Sequence, residues 1–209
     1  ATNSVNPTLG RGPGESALSD LIYDRLSSIG DLEVRRQSVA DGRSNVIAVL
    51  RGSGGGRSLM LNGHMDTVGV DGMTIDPFKP SVENGRLHGR GACDMKGALA
   101  AMIGALKALV KSEPRLPGDL IFSAVVDEEY KSVGIKKLVE EYRADAAVVG
   151  EPTEMRVATT HKGFVWIEIE IKGKAAHGSV PEKGVDAIVH AAKVVSRVEK
   201  LQENLGTRV

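Results

Sequence analysis

The spacing of apolar residues along the chain switches between a period near 3.6 and a period of two. Leu18, Leu21, Ile22, Leu26 and Ile29 recur at helical spacing and are closed by Gly30, a residue favoured just past a helix end. Val46 to Leu50 reads as a strand, and the Gly52 to Gly56 turn joins it to a second strand at Leu59 to Asn62, as a hairpin-like or adjacent pair. An Ala-rich helix is expected from Gly97 to Ser112, broken by Pro114 and Pro117. The β-branched and aromatic run Asp119 to Val126 predicts a strand, Val133 to Tyr142 a helix, and Ala146 to Val149 a further strand. Strands alternating with helices predict an α/β fold, with a mostly parallel sheet covered by helices on both faces.

Beyond Glu151 the pattern changes. Val165, Ile167, Ile169 and Ile171 alternate with Trp166, Glu168, Glu170 and Lys172, which predicts a strand over Phe164 to Lys172 with one wet face, as in antiparallel sheets. Val185, Ile188, Val189, Ala192, Val195, Val198 and Leu201 form a helical stripe suited to covering that sheet. A boundary is therefore placed near Lys162, dividing residues 1–161 from the start of a smaller α+β unit at 162–209.

Composition narrows the partners. The 209 residues are 41% hydrophobic, enough for a well-buried core. The 27 basic and 27 acidic residues cancel, so the chain lacks the electrostatic footprint of a nucleic-acid or membrane-surface binder, and small metabolites or peptides are the expected partners. Cys93 is the single cysteine, which excludes an internal disulfide and suits a reducing compartment; a cytoplasmic protein is expected. The apolar stretch from Gly97 to Val110 is interrupted by Lys107 and is shorter than the roughly 20 residues a bilayer requires. No signal peptide is visible, the chain begins at Ala1 without a methionine, and both ends are expected to be cut.

Candidate chemistry gathers at the ends of three strand-like runs, at His64 and Asp66, at Asp127-Glu128-Glu129, and at Glu151. In an open α/β sheet the carboxyl ends of parallel strands converge on one crevice, and a histidine among carboxylates there points to a metal site, of hydrolytic type. Each element alone fits a plainer reading. His64 and Asp66 lie on one face of an extended segment, where the carboxylate can orient the imidazole, yet a turn histidine beside a solvated acid has the same sequence. Asp94, within Gly89-Arg90-Gly91-Ala92-Cys93-Asp94-Met95-Lys96-Gly97, is equally placed to cap the following helix. The acids at 127–129 would also serve as a helix start complementing the macrodipole, and Glu151 before Pro152 as an ordinary strand-to-loop acid. The glycine spacing excludes a P-loop, and no basic cluster near the strand ends is available to hold a phosphate.

Taken together and in order, Gly63-His64-Met65-Asp66-Thr67-Val68, Gly89 to Gly97, Asp127-Glu128-Glu129, Gly150-Glu151-Pro152-Thr153 and Gly173-Lys174-Ala175-Ala176-His177-Gly178 resemble one family. It comprises the two-metal amidohydrolases and exopeptidases that include acetylornithine deacetylase, succinyl-diaminopimelate desuccinylase, carboxypeptidase G and aminoacylase. The resemblance runs from about Ser4 to Val195 and implies a zinc-exopeptidase-like domain at 1–161 followed by the first part of a lid and dimerisation domain at 162–209. It implies that His64 binds one metal, Asp94 bridges both, Glu129 binds the second, and Glu151 completes the first. Asp66 would orient His64, and Glu128 would be the general acid/base that takes a proton from the metal-bridging water and delivers it to the leaving amine. His177 would reach a partner's active site in a homodimer and stabilise the oxyanion; a loop histidine beside Gly178 is the plainer reading. Two divalent ions are implied, zinc by donor type, with cobalt or manganese as substitutes. The implied reaction is hydrolysis of the amide bond of an N-acyl amino acid or small peptide.

The sequence also departs from the family. A further histidine on the second metal, expected after the smaller domain, has no counterpart here, and His88, His161 and His190 stand where the family places no ligand. The expectation is a catalytic domain lacking its return segment, with weak second-metal binding and little activity from these residues alone, or alternatively an inactive, truncated or non-enzymatic homologue that binds metal or ligand without turnover.

Overall fold

Strands rich in Val, Ile and Leu on both faces can be buried only between two layers of helix, and that arrangement organises the computed structural model. It describes residues 2–112, 116–163 and 167–206. The chain divides into two compact units, Ala1–Val157 and Ala158–Val209. In the first, α1 (Pro7–Gly10) and α2 (Ser16–Ser27) precede β1 (Leu32–Ala40), β2 (Arg43–Leu50) and β3 (Leu59–His64). A short pair, β4 (Ser81–Glu83) and β5 (Arg86–His88), leads to α3 (Lys96–Lys111), β6 (Leu120–Val125), α4 (Val133–Glu141) and β7 (Ala146–Val149).

The main sheet has the order β1-β2-β6-β3-β7. Its core is parallel: β3 runs alongside β6 on one side and β7 on the other, with His64 level with Val125 and Asn62 level with Val149. On the far side β2 pairs antiparallel with β6, and β1 antiparallel with β2. The expected adjacency of the Val46 to Leu50 and Leu59 to Asn62 strands is thus corrected. β6 lies between them, because the glycine-rich connection carries the chain across a strand position that a later segment fills.

Period-two alternation sorts the side chains. From β6, Leu120, Phe122 and Ala124 join a core with Leu18, Ile22 and Leu26 of α2 and Leu99, Met102 and Leu106 of α3. Ile121 and Val125 face the other way, with Ile47 and Val49 of β2 and Leu138 of α4. Helices therefore cover both faces, and each fully buried Leu or Phe contributes about 1.5–3 kcal/mol by leaving water. The α2 stripe ends slightly earlier than its sequence suggests, with Ser28 at the C-cap.

The second unit carries a 3-10 turn (Pro181–Lys183), α5 (Ala187–Gly206) and an isolated antiparallel bridge between Lys174 and Val185. The strand expected over Phe164 to Lys172 is corrected in part. Phe164 to Trp166 lie outside the described residues, and 167–172 form no strand. An alternating segment becomes a ladder only when a partner supplies hydrogen bonds, and none pairs with it among the described residues; Ile167 and Ile169 remain exposed.

Candidate metal centre

Parallel pairing brings the three strand ends to one edge of the sheet. His64 closes β3, Glu128 follows β6 by three residues, and Glu151 follows β7 by two, so the register that aligns His64 with Val125 also sets these groups side by side. Asp127 has a left-handed φ of 63°, which ends the extended run and turns the chain so that Glu128 and Glu129 serve one site rather than opposite faces.

His64 is buried, and its backbone N–H donates to Met95 Sδ at 3.1 Å. Its Nδ1 lies 2.9 Å from the Asp66 carbonyl oxygen, which can only accept, so Nδ1 carries the proton. The expected carboxylate acceptor is corrected: Asp66 Oδ1 is 3.7 Å from Nδ1. The Asp66 carboxylate is used otherwise, with Oδ1 accepting the Glu128 N–H at 3.0 Å and Oδ2 the Glu129 N–H at 3.2 Å.

The other imidazole nitrogen, Nε2, lies 2.9 Å from Asp94 Oδ1 and 3.6 Å from Glu151 Oε1. With Nδ1 already donating, Nε2 meets these oxygens either as imidazolium or with a bare lone pair. A divalent cation among them would satisfy all the donors at once, and imidazole with carboxylates is a donor set that suits zinc. Two overlapping groups have ligand atoms within 4.8 Å of one another: His64, Asp94 and Glu129, and His64, Glu128 and Glu151. The residues present therefore fit a metal ion.

The electrostatics agree with that fit. Burial pulls the His64 imidazole down, but Glu151, Asp66 and Glu128 together outweigh it and hold it above its ordinary range. Loss of solvation raises Glu128, Glu129 and Glu151, with neighbouring carboxylates adding to it against the opposing pull of His64; Glu129 is pushed up to about 6. Clustered acids short of positive charge are costly to ionise, and a bound cation relieves that cost.

Two plainer readings are decided by the helix starts. α3 begins at Lys96 with no side-chain cap, and Asp94 meets His64 instead. α4 begins at Val133 without acidic residues in its first turn, so Asp127, Glu128 and Glu129 do not complement its dipole. The Asp94–Met95 peptide is cis. Lys96 reaches the Thr2 carbonyl at 2.8 Å. A separate cavity of about 540 Å³, lined by Leu18, Ile22, Leu99 and Ile103 among others, contains none of the candidate ligands.

Behind the ligands lies a polar network that local sequence reading misses. Asn6 is buried and donates from Nδ2 to both Asp66 and Asp127. Arg43 pairs with Glu15 through two hydrogen bonds and with Asp127 at 3.0 Å. The Asn6-Pro7 pair is a legible helix start, but nothing local links Glu15, Arg43 and Asp127, which are far apart in the chain. In the second unit, exposed His177 accepts at Nδ1 from the Ser179 hydroxyl at 2.8 Å and the Ser179 N–H at 3.2 Å. His161 and His190 are exposed as well.

A profile of peptidase family M20/M25/M40 matches residues 60–207. The chain belongs to this family. It is 38% identical over 190 residues to an acetylornithine deacetylase of Myxococcus xanthus, covering 88% of this chain and 49% of that one. An acetylornithine deacetylase of Proteus mirabilis (strain HI4320) is 36% identical over 214 residues, covering 100% and 54%. The chain thus spans about half the length of these curated relatives. Among solved structures, a tripeptidase from Staphylococcus aureus superposes with a TM-score of 0.65 at 25% identity, covering 93% of this chain and 52% of the other. No helix among the described residues is long and apolar enough to cross a membrane.

Proposed function

We propose that this M20 family chain is the metal-binding part of an amide hydrolase acting on an N-acyl amino acid or small peptide. The observation that carries the proposal is the convergence of His64 with Asp94 and Glu129, and of His64 with Glu128 and Glu151, in two overlapping groups of ligand atoms at the strand ends and the approach to α3. Identity to two acetylornithine deacetylases supports the substrate class. His64, Asp94 and Glu151 would hold one divalent ion, with Asp94 shared and Glu129 on a second; zinc is the expected metal, and cobalt or manganese are substitutes. When bound, such ions supply the positive charge that polarises the scissile carbonyl and acidifies water.

The protein's own groups do the rest. His64 is held in one tautomer by the Asp66 carbonyl, leaving Nε2 free to ligate. Glu128 stands beside this cluster on a backbone fixed by Asp66, and its raised pKa suits a carboxylate that takes a proton from water and returns it to the departing nitrogen. In a homodimer, His177 of one protomer would reach the active site of its partner and supply a hydrogen-bond donor to the developing oxyanion, since its Nδ1 is occupied as an acceptor and Nε2 then carries the proton.

The test combines metal analysis with turnover of N-acetylornithine and of simple N-acyl amino acids and dipeptides. Metal-dependent release of the free amine supports the reading. Glu128→Ala should abolish the turnover the chain shows while metal is retained; failure of the folded chain to bind a divalent metal, or turnover unaffected by Glu128→Ala, would refute the proposal.

A further inference from the structure

Asn6 occupies a position that no ligand role explains. Its side chain is fully buried, and both of its ends are used. The amide oxygen accepts the N–H groups of Thr8 and Leu9, at 3.0 and 3.4 Å, capping α1. The amide nitrogen donates to Asp66 Oδ2 at 2.8 Å and to Asp127 Oδ1 at 3.1 Å.

Those two acids belong to the two segments that carry the cluster. Asp66 follows His64 by two residues, and Asp127 directly precedes Glu128. The backbone on either side of Asn6 is sewn to the first segment: Ser4 Oγ donates to the Met65 carbonyl at 2.7 Å, the Asn6 N–H to the Thr67 carbonyl at 2.9 Å, and the Thr67 N–H to the Ser4 carbonyl at 3.1 Å. The second segment is held from behind, where Arg43 and the Lys131 N–H engage Asp127. Asp66 then accepts the N–H groups of Glu128 and Glu129. A neutral group with two hydrogens lets two buried carboxylates share one donor; without it they would face each other as like charges, each with one donor fewer.

We infer that Asn6 is a positioning residue for the metal centre, fixing the separation between the His64–Asp66 and Asp127–Glu129 segments and thereby the geometry of the ligands. The inference rests on the metal-site reading above. It assigns the N-terminal segment a part in the site, although this segment supplies no ligand.

Two substitutions separate positioning from helix capping. Asn6→Asp keeps the size and the cap acceptor but turns an acceptor toward both carboxylates. Asn6→Ser keeps a cap and stays neutral but is too short to bridge the pair. Cobalt(II) titration of the metal-free 209-residue chain, followed by visible absorption, should show roughly 10–100-fold weaker binding and an altered d–d band for both variants, with far-ultraviolet circular dichroism unchanged. If Asn6→Asp does not fold, Asn6→Ser carries the test. Wild-type affinity and an unaltered cobalt spectrum in the folded variants would reduce Asn6 to a helix cap and overturn the inference. Failure of the wild-type chain itself to bind cobalt would instead overturn the metal-site reading on which it rests.

Discussion

Replacing Arg43 with methionine isolates the energetic role of the network behind the site. The guanidinium donates to Glu15 at 2.6 and 2.8 Å and to Asp127 at 3.0 Å. The arginine side chain is 18% exposed, that of Glu15 0% and that of Asp127 4%, so little water screens the pair. Methionine preserves much of the apolar stem, which leaves loss of charge as the main effect. Removing one partner from a buried ion pair costs about 3–5 kcal/mol, because the remaining charge is stranded. At about 2–4 °C per kcal/mol for a protein of this size, Arg43→Met should lower Tm by roughly 6–20 °C. Thermal melts of the metal-free protein by circular dichroism, with urea midpoints alongside, measure the loss. Adding Glu15→Gln should recover part of it by neutralising the stranded acid. A loss below about 1 kcal/mol would show that the pair behaves like a screened surface contact and would refute the reasoning.

Glu128→Gln should lower kcat by roughly 10²–10⁴-fold while bound metal, measured by elemental analysis, stays at the wild-type level; coincident loss of metal would mean that Glu128 is chiefly a ligand. Gly134→Ala should destabilise by about 1–3 kcal/mol or more in urea unfolding, since overpacking a tight site costs that much. A Cβ there would lie 2.3 Å from the Val126 carbonyl oxygen, where backbone cannot give way, and unchanged stability would contradict the close packing of α4 on β6. Glu129 shifts from 4.5 to about 6, chiefly by burial, so the folded state binds its proton more readily than the unfolded state. Stability from this group is therefore present below about 4.5 and is lost as pH rises through 6 in the metal-free protein, while metal, competing with that proton, binds more tightly over the same interval. Cobalt titrations at pH 5.5 and 7.0 check this, and a pH-independent affinity would count against a role for Glu129.

What the sequence made legible depended on local periodicity. The stripes of α2, α3 and α4 and the runs of β3, β6 and β7 are dense enough in apolar residues to be read directly. β1 leaves no legible pattern, because it is an edge strand with Arg35 and Arg36 at its middle and mixed burial, so its alternation is faint. The β4–β5 pair is short and exposed, yet its Asn84-Gly85 turn, with both residues at positive φ, is a hairpin signal that could have revealed it. The order β2-β6-β3 was hidden because β6 enters between strands already laid down in sequence, and no local pattern encodes that insertion.

The candidate site was more legible than the sheet, since His64, Asp94, Glu128, Glu129 and Glu151, each open to a plainer reading alone, stand in motifs whose order is informative together. Geometry added what spacing does not carry. The Asp66 carbonyl, rather than its carboxylate, holds His64, and Asn6 ties Asp66 to Asp127, although Asn6 and Asp127 stand 121 positions apart in the chain. Such contacts are set by tertiary packing, and isolated polar residues leave no periodic trace of them.

The most direct test of the account is equilibrium binding of zinc to the metal-free chain, with the His64→Ala variant in parallel. Nε2 of His64 stands next to Asp94 and Glu151, and His64 belongs to both ligand groups. The account predicts that the wild-type chain binds zinc and that His64→Ala, still folded by circular dichroism, loses this binding by at least about 10-fold. No zinc binding by the folded wild-type chain, or equal affinity in the two proteins, would contradict it.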